Sequence, residues 1–161
     1  MYDKQLSPHF MLSEMTRSDY ARRNGIDNTA PLEVEQNLRA LANTVLELVR
    51  SEVGSPIIVS SGYRCPALNA AVGGAASSQH MKGQAADFTI PGMTNLDVVR
   101  EIVHASTVIP FDQMILEGWT DANPSGQWVH ISYAPSGTER RQVMTADFTK
   151  PLAERYLPLF V

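Results

Sequence analysis

The chain is poor in cysteine and in positive charge, and it has no long apolar run. Cys65 is the only cysteine among 161 residues, which excludes an internal disulfide and a cysteine-rich zinc knuckle. Lysine and arginine total 13 against 17 acidic residues, so the formal net charge is −4. Binding to a phosphate backbone depends on clustered Lys and Arg, and we therefore expect no nucleic-acid partner. No stretch approaches the roughly 20 apolar residues that span a bilayer, and we expect no membrane insertion.

The length and the N-terminus set the expected organisation. The first ten residues, MYDKQLSPHF, lack the apolar core of a secretory signal, so we expect a protein that is cytoplasmic as synthesised. A chain of 161 residues has the size of one domain, and no obvious linker interrupts it. We predict one domain over residues 1–161, with an irregular arm over about residues 1–30 docked on it, and a monomeric protein.

Short helices are predicted near residues 18–24 and over CPALNAAVGG, and two further segments have the signals of longer helices. Between Pro31 and Gly54 one apolar stripe recurs at steps of four and three, and it comprises Val34, Leu38, Leu41, Val45 and Leu48. Gly54 is placed to end this helix. A second helix is predicted from Thr94, which with Asp97 resembles a capping box.

Four short runs are typical of strands: PIIVSSGY, AADFTI, FDQMILE and QWVHISY. The last two are separated by a loop rich in turn residues and are predicted to pair as an antiparallel hairpin. The tail from Asp147 to Val161 is expected to pack through its leucines and Phe160. Helices come first and strands follow with short helices between them. This order predicts an α+β fold, a small antiparallel sheet flanked by helices, rather than a doubly wound sheet.

One carboxylate stands in an apolar strand, where an unpaired charge is costly to bury. Asp87 lies between Ala86 and Phe88 in AADFTI, seven residues after His80. Joint binding of His80 and Asp87 to one divalent metal would neutralise the charge. A catalytic zinc site needs a third protein ligand, and three histidines remain in the sequence.

His130 is the best third ligand among them. In WVHISY the alternation of a strand places Trp128, His130 and Ser132 on one face, and that face suits a cleft. His9 falls in the irregular arm, and His104 falls near a helix end, where a solvated histidine is common. Two histidines and one carboxylate form the ligand set of hydrolytic zinc enzymes, so we predict one Zn²⁺ in the cleft, although other transition metals suit the same ligands.

The string SGYRCPALNAAVGGAASSQHMKGQAADF, followed by WVHIS, resembles a known family. It is similar to the zinc D-alanyl-D-alanine carboxypeptidases, a family that includes phage endolysins cutting L-alanyl-D-glutamate bonds and, distantly, the hedgehog signalling domain. The resemblance covers roughly residues 6–135. It implies His80, Asp87 and His130 as the zinc ligands on a small α+β fold. It also implies that Arg64 helps to hold the substrate, and that Ser78 binds substrate or orients its loop.

The sequence departs from the family at the general base. Many relatives carry an Asp or Glu three residues before the last histidine, but here that residue is Gln127, and an amide cannot accept a proton. Glu117 is our candidate catalytic base, because a hairpin register that opposes it to Trp128 puts its side chain on the face of His130. Asp112 and Asp121 are weaker alternatives. Trp128, and less so Trp119, is expected to line the substrate cleft.

The resemblance implies a zinc metallopeptidase that hydrolyses peptide bonds of peptidoglycan stem peptides. The activity is that of a D-Ala-D-Ala carboxypeptidase or of an L-Ala-D-Glu endopeptidase, in a phage or prophage endolysin released to the periplasm or cell wall during lysis. The alternative is a non-catalytic zinc-containing domain that binds a peptide or partner, and Gln127 is the feature that favours it.

Overall fold

A computed structural model of the chain describes residues 3–137 and 139–161. The first two residues of the predicted N-terminal arm lie outside the described residues. The helices are α1 (Leu12–Thr16), α2 (Asp19–Asn24), α3 (Leu32–Leu41), α4 (Glu47–Val53), α5 (Pro66–Ala71) and α6 (Asn95–His104). The strands are β1 (Gln5–Ser7), β2 (Phe10–Met11), β3 (Ile58–Ser61), β4 (Ala85–Thr89), β5 (Gln113–Glu117), β6 (Trp128–Ser132), β7 (Gln142–Ala146) and β8 (Tyr156–Pro158).

The two predicted longer helices are present, and the two predicted short ones are α2 and α5. α3 runs through a π-helical segment, Ala42–Leu46, into α4, which ends where Gly54 adopts a left-handed conformation with φ of 63°. The predicted stripe is wrong at Leu48, which is 37% exposed, whereas Leu46 and Val49 are fully buried. A π turn holds one more residue than an α turn, so after it the buried positions fall one residue later along the chain, at Val49 instead of Leu48. The spacing of apolar residues in the sequence does not predict this shift. α6 begins as predicted, because the Thr94 side chain accepts a hydrogen bond from the Asp97 amide.

The main sheet has six strands in the order β3-β4-β6-β5-β7-β8. All neighbours are antiparallel except β5 and β7, so the fold is α+β as predicted and the larger sheet is mixed. Because β6 runs antiparallel to β5, the chain leaves β6 near the start of β5. β7 then starts there and runs parallel to β5, with Gln142 paired with Gln113. The remaining two strands, β1 and β2, form a separate antiparallel pair.

The two faces of the main sheet have different roles. One face joins the buried faces of α3, α4 and α6 in a common core, to which it contributes Ala86, Phe88, Met114, Leu116, Val129 and Ile131. The alternate residues of the same strands face a cleft and include Asp87, Ile115, Glu117, Trp128, His130 and Met144. Because side chains alternate along a strand, Asp87 points away from the core that Ala86 and Phe88 fill.

The two ends of the chain differ from expectation. The N-terminal arm is more regular than predicted, with β1, β2 and α1 in addition to the expected helix near residues 18–24, and it buries Leu6, Phe10 and Met15 in the core. The prediction for the tail is confirmed only for Leu159, which packs partly against the core. It is wrong for Leu152, which is 70% exposed, and for Phe160, which is 93% exposed. The backbone pairing of β8 with β7 also attaches the tail. Within the two described ranges, no helix is long and apolar enough to cross a membrane.

Candidate metal centre and substrate cleft

Three predicted ligands meet at the base of the cleft. His80 Nε2 lies 3.1 Å from Asp87 Oδ1 and 3.2 Å from His130 Nδ1, and His130 Nδ1 lies 2.9 Å from Asp87 Oδ1. All three residues are buried. The sequence separates them by up to fifty positions, and the fold brings one donor atom of each into a single triangle.

Local structure fixes each of these side chains. Asp87 and His130 are directly paired across β4 and β6, which places their side chains next to each other on the cleft face. His80 lies in a 3₁₀ turn, Gln79–Lys82, which ends at Gly83 in a left-handed conformation with φ of 67°. This turn leads directly into β4, so the loop ligand and the strand ligand are held within one short segment.

A hydrogen bond orients His80 for ligation. His80 Nδ1 lies 2.6 Å from the carbonyl oxygen of Gly62, which can only accept, so Nδ1 carries the proton and Nε2 presents a lone pair to the triangle. Gly62 itself is required by close packing, because a Cβ at this position would lie 2.3 Å from the Met15 carbonyl oxygen. The glycine of the SGYR motif thus supports the first ligand.

The donor set fits a zinc ion. Ligands about 2.0–2.1 Å from a tetrahedral zinc are separated from one another by about 3.3 Å, close to the three distances of the triangle. Burial opposes ionisation of Asp87, but the adjacent His80 and His130 hold the pKa of its carboxyl below the usual value. An ionised carboxylate and two imidazoles, one with its tautomer fixed, form a site that could hold a divalent metal.

Arg64 touches this ligand set directly. Its Nη2 donates to Asp87 Oδ2 and lies 3.2 Å from His80 Nε2, while its Nε donates to Ser61 Oγ at 2.8 Å. The side chain is 18% exposed and lines the cleft. Arg64 therefore balances the charge of Asp87 from one side of the triangle and remains open to the cleft on the other.

Glu117 lies on the same cleft face, at the end of β5. It is paired with Trp128, which is the register on which its choice as candidate base depends, and its side chain lines the cleft with that of His130. Burial and the nearby Asp87 raise the pKa of Glu117, while His130 and Arg64 act in the opposite direction. The buried indole N–H of Trp128 is near enough to favour the ionised carboxylate, but it falls short of hydrogen-bond geometry.

The alternative bases lie elsewhere. Gln127 is exposed, outside the cleft lining, and its side chain covers Gly118. Asp112 is 6% exposed and is engaged by Arg140 and by Gln79 Nε2, so it acts as a structural link. Asp121 is exposed in a turn. Of the carboxylates considered, Glu117 is the one whose side chain reaches the cleft beside the triangle.

The other predicted residues divide between cleft and scaffold. Ser78 and Trp128 line the cleft, whereas Trp119 packs partly against the core. His9 pairs with Glu47 at 2.8 Å, and His104 is exposed at the end of α6.

Sequence reasoning missed one wall of the cleft. It is built by the C-terminal segment, whose contribution includes Met144, Phe148, Leu152, Arg155 and Tyr156. These residues fall in a turn-rich stretch with no recognisable motif, and only the pairing of β7 with β5 brings them to the cleft. The only sequence feature that could have indicated a role in the cleft is the presence of basic and aromatic residues such as Phe148, Arg155 and Tyr156.

Comparison with known proteins agrees with this geometry. A model of the family described as Peptidase M15 matches residues 8–132, which include the three residues of the triangle, Arg64 and Glu117. No curated protein matches the chain. The matched range covers most of the 161 residues and ends with β6, the strand that carries His130. The chain therefore belongs to the Peptidase M15 family, the family of zinc D-Ala-D-Ala carboxypeptidase-like enzymes.

Proposed function

We propose that this protein is a zinc metallopeptidase that hydrolyses peptide bonds of peptidoglycan stem peptides. The buried triangle of His80, Asp87 and His130, at the base of a cleft of about 1540 Å³, carries the proposal. Such a volume exceeds that of ordinary small-molecule pockets and leaves room for several residues of an extended peptide. Membership of the peptidase family gives the reaction class its support.

The chain supplies a distinct group for each requirement of the reaction. His80, Asp87 and His130 would hold the ion, and Arg64 would keep the Asp87 carboxylate oriented. When bound, zinc supplies Lewis-acid activation of water and of the scissile carbonyl. Glu117 accepts the proton of the attacking water and passes it to the leaving amine. Its raised pKa suits it to this second role, because a carboxylic acid of higher pKa forms more readily at neutral pH.

The remaining roles concern the substrate. The Arg64 guanidinium can donate to a carbonyl or carboxylate of the bound peptide while it also contacts Asp87. Ser78 offers a hydroxyl at the rim of the loop that carries His80, and Trp128 offers an apolar ring surface beside Glu117. We further propose a phage or prophage lysin, released to the cell wall during lysis, on the basis of the family resemblance.

The competing function is a zinc-containing domain that binds a peptide without cutting it. Gln127, in place of the usual acidic residue, is the observation that favours it. Against it stands Glu117, an acidic residue with raised pKa on the face of His130. The two functions differ in a single measurable property, turnover.

Mass spectrometry of purified peptidoglycan fragments, incubated with the protein, tests the proposal. We expect cleavage that a chelator abolishes and that added zinc restores. Loss of a terminal alanine identifies a carboxypeptidase, and separation of L-alanine from D-glutamate identifies an endopeptidase. Unchanged fragments, with zinc measured in the protein, would contradict the peptidase and support the binding domain.

A further inference from the structure

The C-terminal segment, residues 139–161, adds a second wall to the cleft beyond the range that matches the family. One row of paired residues crosses four strands, Trp128 on β6, Glu117 on β5, Ala146 on β7 and Tyr156 on β8. Two further backbone hydrogen bonds hold these strands together beside the row. The Trp119 amide donates to the Ala146 carbonyl at 3.0 Å, and the Asp147 amide donates to the Arg155 carbonyl at 2.9 Å. The segment is thus held in register with Glu117.

Two aromatic rings extend the cleft floor towards this wall. The Phe148 ring lies against the Trp128 ring, with a centroid separation of 5.8 Å and an interplanar angle of 32°. We call this pair the aromatic shelf. The guanidinium carbon of Arg155 lies over the Phe148 ring of this shelf, 5.4 Å from the ring centroid. Stacking on an aromatic face holds a guanidinium in place without satisfying its N–H donors.

Arg155 forms no ion pair within the part of the chain that the structure describes. No acidic side chain of the described residues lies within ion-pair distance of Arg155, whereas Arg64 pairs with Asp87 and Arg140 pairs with Asp112. Arg155 Nε is buried and has no hydrogen-bond partner within the described ranges. Burial raises the pKa of the neighbouring Tyr156 hydroxyl, and the Arg155 guanidinium acts in the opposite direction, so the hydroxyl beside Arg155 stays neutral at pH 7. A buried donor without an acceptor costs stability, and the Arg155 guanidinium is therefore not saturated by acceptors among the described residues.

Two of the arginines that line the cleft are available to an anionic ligand. The lining contains Arg17, Arg64, Arg140 and Arg155. Arg64 and Arg140 are already paired with Asp87 and Asp112, so Arg155 and Arg17 are the two that form no ion pair with the described residues. Guanidinium groups recognise carboxylates by two parallel hydrogen bonds. The strand order places β3 and the following Arg64 at one edge of the sheet and Arg155 beside β8 at the other, with the triangle and Glu117 between them.

We propose that Arg155, resting on the aromatic shelf, binds a free carboxylate of the substrate and so determines specificity on the side of the cleft opposite to Arg64. The inference rests on the proposed peptidase function and deepens it. The cleft selects peptides that carry a carboxylate displaced from the scissile bond by the width of the shelf. Stem peptides with lysine at the third position, which serve as the probes, offer two such groups, the free carboxylate of the γ-linked D-glutamate and the carboxylate at the C-terminus.

A cycle of substrate and protein variants tests this subsite. Three synthetic stem pentapeptides are compared: the free acid, the form amidated at D-glutamate and the form amidated at the C-terminus. Each is assayed with wild type, Arg155→Gln, Arg155→Lys and the control Arg100→Gln, an exposed arginine on α6 outside the cleft lining. Both kcat/KM and equilibrium binding by calorimetry are measured, and thermal unfolding checks that each variant is folded.

We expect Arg155→Gln to lower kcat/KM and affinity for the free acid by about 10- to 100-fold, mainly through KM. Arg155→Lys should lose less, because it keeps the charge but not the planar fork. On one of the two amidated peptides the difference between wild type and Arg155→Gln should disappear, and that peptide identifies the carboxylate. Arg100→Gln should match wild type on all three.

An equal loss on all three peptides, or no loss on any, would overturn the subsite while leaving the peptidase intact. Absence of hydrolysis by the wild type would instead contradict the proposed function. The binding measurements then still decide the subsite: a carboxylate-dependent loss of affinity in Arg155→Gln supports it, and identical affinities overturn it.

Discussion

Glu117 stands directly opposite Trp128 in the antiparallel pair of β5 and β6. This register decides which face of β5 carries the carboxylate, because a shift by one residue would turn Glu117 into the core. His130 is paired with Ile115, two residues before Glu117 on β5. Glu117 and His130 therefore lie on the same face of the sheet, in neighbouring residue pairs of that face. The replacement of the usual acidic residue by Gln127 therefore does not leave the cleft without a carboxylate.

Glu117→Gln should abolish turnover and leave zinc binding intact. The amide keeps the size of the side chain but cannot take a proton, so we expect kcat to fall by about 10²- to 10⁴-fold. The matched control is Gln127→Ala, at an exposed position outside the cleft lining, which should retain activity. Rates and metal content are measured on the same preparations. Full activity in Glu117→Gln, or its loss in Gln127→Ala, would reject Glu117 as the base.

Metal analysis should find one zinc per chain in the wild type and much less in His130→Ala or Asp87→Asn. Each change removes one of the three ligand atoms that form the triangle. The variants should also lose the rise in melting temperature that zinc gives the wild type, because a ligand that binds only the folded state stabilises it. His104→Ala, at an exposed position on α6, is the control and should bind zinc normally. Equal zinc content in all four proteins would exclude the triangle as the metal site.

The Asp112–Arg140 contact should make stability depend on pH in acid. Hydrogen bonds from Arg140 hold the pKa of Asp112 below its usual value, against the effect of burial. Its contribution is therefore present above the unfolded-state pKa of about 3.9 and is lost as the pH falls through the lower folded-state pKa. Asp112→Asn should cost about 1–3 kcal/mol in the free energy of unfolding at pH 7.

Urea unfolding of both proteins over a pH series measures this effect. The difference between wild type and Asp112→Asn should be constant from pH 7 to about pH 5 and should shrink below about pH 4. Asp121→Asn, in an exposed turn, should stay within about 0.5 kcal/mol of wild type throughout. A difference for Asp112→Asn that does not change down to the lowest pH at which both proteins fold would refute the assignment.

Gly83→Ala should destabilise the loop that carries His80. Residue 83 has φ of +67°, and a Cβ there would lie 2.7 Å from the backbone oxygen of Val34. Gly92→Ala provides the comparison, because residue 92 has φ of +83° but no heavy atom within 4 Å of the added Cβ. We expect about 1–2 kcal/mol of strain for Gly92→Ala and a clearly larger loss for Gly83→Ala, measured by urea unfolding. Equal losses would show that the contact with Val34 relaxes.

The residues that meet at the site could be predicted because their signals are local. An aspartate in an apolar strand and a histidine flanked by Trp128 and Ser132 are unusual whatever the rest of the chain does. The π-helical segment that rotates Leu48 out of the core has no such local sign. Nor does the tail, because the pairing of β7 with β5 joins segments about thirty residues apart and is decided by the packing of the whole sheet.

The parallel pairing of β7 with β5 has a consequence for how this protein can diversify. The strands that carry Asp87, Glu117 and His130 are complete before residue 133, and the two later strands, β7 and β8, are added at one edge of the sheet. Substitutions or insertions after that residue can change one wall of the cleft and leave the strands of Asp87, Glu117 and His130 unaltered. Exchange of this C-terminal stretch between related chains is thus a route to a new substrate specificity around an unchanged candidate metal centre.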